Sequence, residues 1–518
     1  MLKKLNCVIL FLLLSVFCHL LNAATYYVAP NGVAGAAGTI QAPLTFSAAM
    51  VKSLAAGDSV ILRGGVYSFS NSQTISKSGN ATKFLTIIAF AGEVPVFDFR
   101  TQAYNSSNQG VKLSGSYVHV KGLIVQGAGD NGMQVTGSYN TIDNCTFRWN
   151  CDSGLQMKTG SNNLIFNCDS YYNFDYQTGG TTSPDYGGNA DGFADKQYSN
   201  TGTNKFKYCR AWGNSDDGWD HFQKVGNTEF DSCWCYANGP ANYDMTDNIR
   251  FKTDSATWFS KFKNASGKYV IPNYGNGNGF KIGGDYTAHN AILRNCVSVA
   301  NKVKGFDQNN NAGSMTLYNC TGYKNSPDYG FSNGSYGSLI IKNCATLGSL
   351  KSNALNAKTV TQSHNSWNSG FACVTSDFVS IDYSQMLNAR SSDGSLPEMS
   401  FLHQLSTSGM IDKGTDVGLP FWGSAPDLGA FEYKLFASTP ESQSSKIAVY
   451  FSGSQKELII KGETVGFDVY DLHGRKLFSN TTLSNEFAFS VSGWKSGIYF
   501  VVAKPNHTSN TPHKVIIP

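Results

Sequence analysis

Several things are scarce in this chain, and each scarcity removes a class of protein. After residue 60 no long segment repeats its apolar residues every 3.6 positions, so a helical architecture is excluded there. Beyond the first two dozen residues no apolar run is long enough to span a bilayer as a helix. Neither charge dominates: 40 Lys and Arg face 36 Asp and Glu, and the formal net charge is +4, to which Lys3 and Lys4 contribute two. That balance argues against a broad basic face for nucleic acid, yet leaves room for an acidic ligand held locally. The 12 cysteines and nine histidines never fall into a zinc spacing.

What is present is a repeat. Cys145, Cys168, Cys209, Cys233, Cys296, Cys320 and Cys344 are separated by 23, 41, 24, 63, 24 and 24 residues. An asparagine follows five residues later at Asn150, Asn173, Asn214, Asn238, Asn301 and Asn325; position 349 is Ser. A period near 24 with two longer gaps is one stacked unit carrying two insertions. Short β-like runs punctuated by Gly and Asn, which tolerate positive φ at corners, predict an all-β right-handed parallel β-helix of about ten coils. The cysteines are expected to point inward as free thiols, with a disulfide framework as the alternative open to an exported chain. The asparagines are expected to form an internal amide ladder.

The 518 residues leave room for more than the helix. Residues 1–24 read as a secretory signal, with Lys3 and Lys4, an apolar stretch from Val8 to Leu21, and small residues at Asn22-Ala-Ala. A membrane anchor is the alternative, and its apolar run is short against the ~20 residues needed. Lipoprotein processing at Cys18 is disfavoured by the preceding Phe17. A β-helix domain is assigned to 25–433, with a short helix around Phe46-Ser-Ala-Ala-Met covering its first coil. Residues 434–445 are linker-like, and 446–518 alternate as a small β-sandwich.

A second landmark, Gly followed by a bulky residue, aligns the coils: Gly154-Leu, Gly192-Phe, Gly218-Trp, Gly279-Phe, Gly305-Phe and Gly330-Phe. If the bulky residue points inward, its neighbours point out. This register puts Asp191 and Asp217 at equivalent positions of neighbouring coils, with Asp216 and Asp220 beside them. Four carboxylates on one face would repel, and a hard divalent cation such as Ca²⁺ resolves the repulsion. Lys281 takes the position of Asp220 one coil on, so it is either a salt-bridge partner of Asp220 or Asp307, or a base beside the cation. Arg250, Lys252 and Lys304 are candidate contacts for substrate carboxylates, or solvated surface charge.

Asn189-Ala-Asp-Gly-Phe-Ala, Asn214-Ser-Asp-Asp-Gly-Trp-Asp and Asn278-Gly-Phe-Lys-Ile-Gly-Gly resemble motifs of polysaccharide lyase family 9, which comprises pectate and rhamnogalacturonan lyases. The resemblance covers about residues 25–433. It implies Ca²⁺ held by Asp191, Asp216, Asp217 and Asp220, and Lys281 as the base that takes the C5 proton of a uronic acid before β-elimination. It also implies an acidic plant cell-wall polysaccharide as partner, polygalacturonate or rhamnogalacturonan I. A monomer is expected. The Gly-His-Gly and Arg-Ile-Lys motifs of polygalacturonase-type hydrolases are absent. An alginate- or chondroitin-type lyase and a non-catalytic, Ca²⁺-stabilised glycan-binding β-helix remain as alternatives. Near the C-terminus, Val469-Tyr-Asp-Leu-His-Gly-Arg-Lys-Leu, Trp494-Lys-Ser-Gly-Ile-Tyr-Phe-Val and Lys514-Val-Ile-Ile-Pro resemble the sorting domain of type IX secretion cargo. That implies a secreted or cell-surface protein; a plain accessory β-module is the other reading.

Overall fold

Each coil of the helix turns at two left-handed corners, and the spacing of those corners is the Cys-to-Asn spacing. The residue before each of the seven repeat cysteines, Asn144 through Asn343, has φ between 51 and 57°. So does the residue before each of the six asparagines, Trp149 through Lys324, at 52 to 60°. Between the two corners lies one short strand, such as Thr146–Arg148 or Val297–Val299. Of these corner residues only Gly213 is glycine. Left-handed backbone costs an ordinary residue about 1–2 kcal/mol, so the bonds made on either side of the corner must hold it.

The computed structural model describes residues 23–433 with breaks at 181, 200–201, 253–255, 348–349, 351–353, 369 and 372. It also describes 448–452, 456–461, 467–471, 476–480, 486–495, 497–503 and 512–517. The expected signal, but for Ala23 and Ala24, and the expected linker 434–445 lie outside the described residues. The chain divides into two compact units, one ending at Tyr433 and the other beginning at Lys434.

In the first unit three parallel sheets of 12, nine and ten strands run along the helix. The first begins at Thr25–Val28 and ends at Thr359–Ser363. The helix Phe46–Met50, capped by the Thr45 side chain on the Ala48 amide, buries Phe46 against Phe97 at 4.7 Å over the first coil. The seven repeat cysteines are buried in one core and, with the other described cysteines, are free thiols. In the amide ladder, the backbone N–H and Nδ2 of Asn214 both donate to Asn238 Oδ1, at 3.1 and 3.0 Å. The same pair of bonds joins Asn150 to Asn173, Asn173 to Asn214, Asn238 to Asn301 and Asn301 to Asn325.

Two expectations are corrected. Gly330-Phe is not the sixth inward landmark: Phe306 pairs with Tyr329, and Asp307 with Gly330. The bend after Cys320 is one residue shorter than in the other coils, so Tyr329 fills the inward slot. Phe331, two residues on, is buried as well, which is why the sequence pattern misleads. The coils also stop before 433. After Ser363 the chain is irregular and folds back on the ten-stranded sheet, where Met386, Phe401, Met410 and Leu428 cover Trp234, Tyr236, Val297 and Val299. Arg210 and Arg390 clamp Asp169 at 2.7 Å each, fastening this strap.

The second unit has antiparallel sheets of three and four strands around Leu458, Ile460, Phe467, Val469, Val501 and Ile517. Its described strands include Lys476–Asn480 and Pro512–Ile517. No helix among the described residues is long and apolar enough to cross a membrane.

Candidate active site and metal centre

The nine-stranded sheet shows its outward side chains in a straight row. Gln134, Gln156, Ala194, Asp220, Lys281 and Asp307 are successive register partners. The strands carrying the middle of the row are anchored by stacked inward rings: Phe193 on Trp219 at 5.1 Å, Trp219 on Phe280 at 4.7 Å and Phe280 on Phe306 at 5.3 Å. The glycine before each ring is there for space. A Cβ on Gly192 would come 2.7 Å from the Gly218 carbonyl, and one on Gly218 2.7 Å from that of Gly279.

At the head of these strands a column of polar residues is bonded coil to coil. Ser153 Oγ lies 3.0 Å from Asp191 Oδ2; the Asp217 N–H donates to Asp191 Oδ1 at 3.1 Å. The Asn278 N–H and Nδ2 donate to Asp217 Oδ1 at 2.7 and 2.9 Å. Asp216 Oδ1 accepts from the Asn276 and Gly277 amides at 2.6 and 3.3 Å, and so is held by the second insertion. Asp191, Asp216 and Asp217 are buried and each offers an oxygen within 4.8 Å of the others.

Asp220 adjoins that triad and acts on its charges. It lies between two lysines: Lys281 Nζ is 3.2 Å from one carboxylate oxygen, and Lys196 Nζ is 2.7 Å from the other. Lys281 also stands 3.0 Å from Asp217 Oδ2, and Lys196 3.2 Å from Asp191 Oδ2. Asp217 Oδ2 has this ammonium as charge partner but accepts no well-aligned hydrogen bond. Below the floor, His221 Nδ1 lies 3.2 Å from the Lys281 carbonyl.

Burial and neighbouring charge shift the triad and Asp220 in opposite directions. Burial pushes Asp191 far above the usual carboxylate range; Asp220 and Asp217 push further, and Lys196 pulls back. Burial followed by Asp217 and Asp191 does the same to Asp216. Asp217 is raised by burial against the pull of Lys281. Burial also opposes the charge on Asp220, but Lys196 and Lys281 overcome it and hold that carboxyl low. Burial works against the Lys281 ammonium too, and the four aspartates outweigh it. Three buried carboxyls that repel one another, all hard oxygen donors and one oxygen short of a hydrogen bond, fit a divalent cation. The acidic triad is able to hold a metal ion.

The remaining sequence candidates fall differently. Lys304 is 30% exposed at its side chain and paired with Asp307 at 2.8 Å, one coil beyond Lys281. Lys252 ends the short turn Ile249–Lys252, and its side chain lies outside the described residues. Arg250 is a correction: it is fully buried, and its Nη1 donates to the carbonyls of Arg100, Gln102 and Gly127 at 3.0, 2.7 and 3.1 Å. It pins the second insertion to the coils instead of meeting a ligand. The two insertions share an aromatic core of Phe174, Tyr176, Tyr186, Tyr243 and Phe259, and their 273–277 stretch borders Asp216. Sequence reasoning missed Lys196. Extending the aligned positions to four residues after each glycine would have found it.

The family described as "Pel9A-like, right handed beta helix region" matches residues 26–353, and the secretion system C-terminal sorting domain matches 443–518. "Pectate lyase L" of Dickeya chrysanthemi is 37% identical over 421 residues, 79% of this chain and 90% of that protein. The crystal structure of pectate lyase Pel9A superposes with a TM-score of 0.66 at 34% identity, covering 80% of this chain and 97% of the other. A rhamnogalacturonan lyase structure with a TM-score of 0.62, 23% identity and 74% and 97% coverage shares the fold. On the match over 26–353 and these relatives, the chain belongs to the Pel9A-like right-handed β-helix family and is a polysaccharide lyase, secreted or held at the cell surface.

Proposed function

We propose that the chain cleaves a uronic-acid-containing pectin by β-elimination, with Lys281 taking the C5 proton. The observation that carries this reading is the seat of Lys281: a lysine Nζ 3.0 Å from Asp217, at the edge of a buried carboxylate triad on an outward sheet face. Asp191, Asp216, Asp217 and Asp220 would hold Ca²⁺. Bound there, the cation would draw electron density from the substrate carboxylate and stabilise the charge that develops as the C5 proton leaves. Lys281 in its neutral form accepts that proton. The electron pair left at C5 forms the C4–C5 double bond, and the C4–O bond breaks with its pair on the departing oxygen, which takes a proton from water as the hydroxyl of the new chain end. Asp220, Lys196 and the rings beneath the floor hold Lys281 in place. The aspartates favour its ammonium form, so activity is expected to climb with pH on the acid side of the optimum. Lys304, one coil on, would meet a neighbouring carboxylate of the chain.

The Dickeya relative is named for pectate, which makes polygalacturonate the first substrate to test and rhamnogalacturonan I the second. The protein would act as a monomer on an acidic plant cell-wall polysaccharide. The test is the ultraviolet absorbance of unsaturated uronides released from each polymer, with Ca²⁺ or with EDTA. Absorbance should grow with Ca²⁺ and stop in EDTA or in Lys281→Ala. No gain on any uronide polymer rejects the reading.

A further inference from the structure

One exposed aromatic ring beside Lys281 is not used by the chemistry above. Phe222 is 39% exposed, and the Lys281 Nζ lies 5.9 Å from its ring centroid. It follows Asp220 by two residues on the same outward side, and its N–H donates to Asp220 Oδ1 at 3.0 Å, which fixes where the ring begins. Along the stack its neighbours, four residues after their aligned glycines, are Lys196 on one side and Gly283 on the other. Gly284 follows, and a Cβ there would come 2.9 Å from Phe222 Cα. The Gly283-Gly284 pair after Lys281-Ile282 therefore puts no side chain over the ring. The outward row beside it carries Gln156, Ala194, Asp220, Lys281 and Asp307, so among the described residues the ring is the one large apolar surface placed next to Lys281.

We propose that Phe222 is the stacking surface for the pyranose ring whose C5 proton Lys281 removes. This rests on the lyase reading. A pyranose is apolar on the faces where its C–H bonds cluster, and such a face packs on an aromatic ring as other apolar surfaces do. The C5–H bond lies on one of those faces. Phe222 and Lys281 stand on the same floor one coil apart, so a single docking stacks that face on the ring and presents the C5 hydrogen to the amine. The ligand class is a uronide pyranose, with specificity set by its C–H face as well as by its carboxylate.

The test is binding of trigalacturonate by calorimetry in a Lys281→Ala background with Ca²⁺ present, which needs no turnover. Phe222→Ala should weaken binding about tenfold, Phe222→Trp should restore it to within about threefold, and Phe222→Leu should fall between. Tyr139→Asn is the control: Tyr139 is also exposed and left-handed at φ 59°, but lies three coils away, and its loss should leave binding unchanged. In the otherwise wild-type enzyme, Phe222→Ala should raise KM far more than it lowers kcat, with an unaltered melting temperature. Equal binding by the Ala and Trp variants, undiminished binding by Phe222→Ala, or no binding by the parent overturns the proposal. Weakened binding without any unsaturated product from wild type would reject the lyase reading and keep the stacking surface.

Discussion

Two columns of small polar side chains run through this molecule in the same coil register, and only one of them is at rest. Inside, amide follows amide from Asn150 to Asn325, each giving two hydrogen bonds forward. At the head of the nine-stranded sheet, Ser153, Asp191, Asp217 and Asn278 also follow one another and are also bonded in sequence. An amide donates and accepts, so a column of amides satisfies itself. An ionised carboxylate only accepts, so two adjacent members cannot satisfy each other, and Asp216 alongside adds a third. Replacing amide by acid at the same kind of stacked position turns scaffold into a site.

The sharpest break in that comparison is Lys281→Ala, which removes the cation that reaches into the acid column. Initial rates on polygalacturonate should fall about 10³-fold, as for loss of a positioned general base. Exchanging the chemistry of the columns comes next. Asn214→Asp places an uncompensated charge in the amide ladder and should cost about 3–5 kcal/mol in urea denaturation. Asp216→Asn should instead stabilise the chelated protein, since that carboxyl is pushed up by burial and its neighbours. Ca²⁺ should then separate the columns by linkage: at a hundredfold excess over its Kd it should add about 2.7 kcal/mol to wild type and much less to Asp216→Asn.

The last contrast is in pH. Burial, with Asp152 adding to it, pushes Asp175 up to about 7. Folded Asp175 keeps its proton up to that pH, whereas the unfolded chain releases it near ~4. Its contribution is therefore fully present below ~4 and is lost as pH rises toward about 7, at about 1.4 kcal/mol per pH unit between those values. Asp175→Asn should flatten that slope in melts from pH 5 to 8.

Much of this was legible because a solenoid repeats its register. The cysteine period together with the Gly-and-bulky landmark placed Asp191, Asp217 and Lys281 in adjacent coils, and the strands pair as that alignment requires. What was not legible depended on three-dimensional surroundings. Arg250 lies in a long insertion, where charge usually faces water, but here three backbone carbonyls needed a donor. Lys196 falls outside the aligned motif residues. The one-residue contraction after Cys320 is hidden because Tyr329 and Phe331 are both bulky and both buried. Five of the seven left-handed corners before the cysteines are Asn, but those before the asparagines carry Trp, Tyr, Gly, Ala and Lys, so residue type announced only the first set.

The ladder also has a direction. Each asparagine gives its backbone N–H and one amide bond toward the later coil, and its Oδ1 receives from the earlier one, beginning with the Ala128 N–H on Asn150; the Nδ2 of Asn214, Asn238 and Asn325 also reaches back to a carbonyl of the coil before. Such a row can be lengthened by any coil that brings another asparagine, but its last asparagine needs an acceptor for the backbone N–H and the amide bond that the others pass forward. Asp328 finishes it: Oδ1 takes both bonds from Asn325, at 2.9 Å each, and the group has no need to pass anything on. A carboxylate at the proton-giving end of aligned amides does for the β-helix what an acidic N-cap does for an α-helix. The serine at position 349 is then not a lapse in the repeat, since the row has already ended one coil before it.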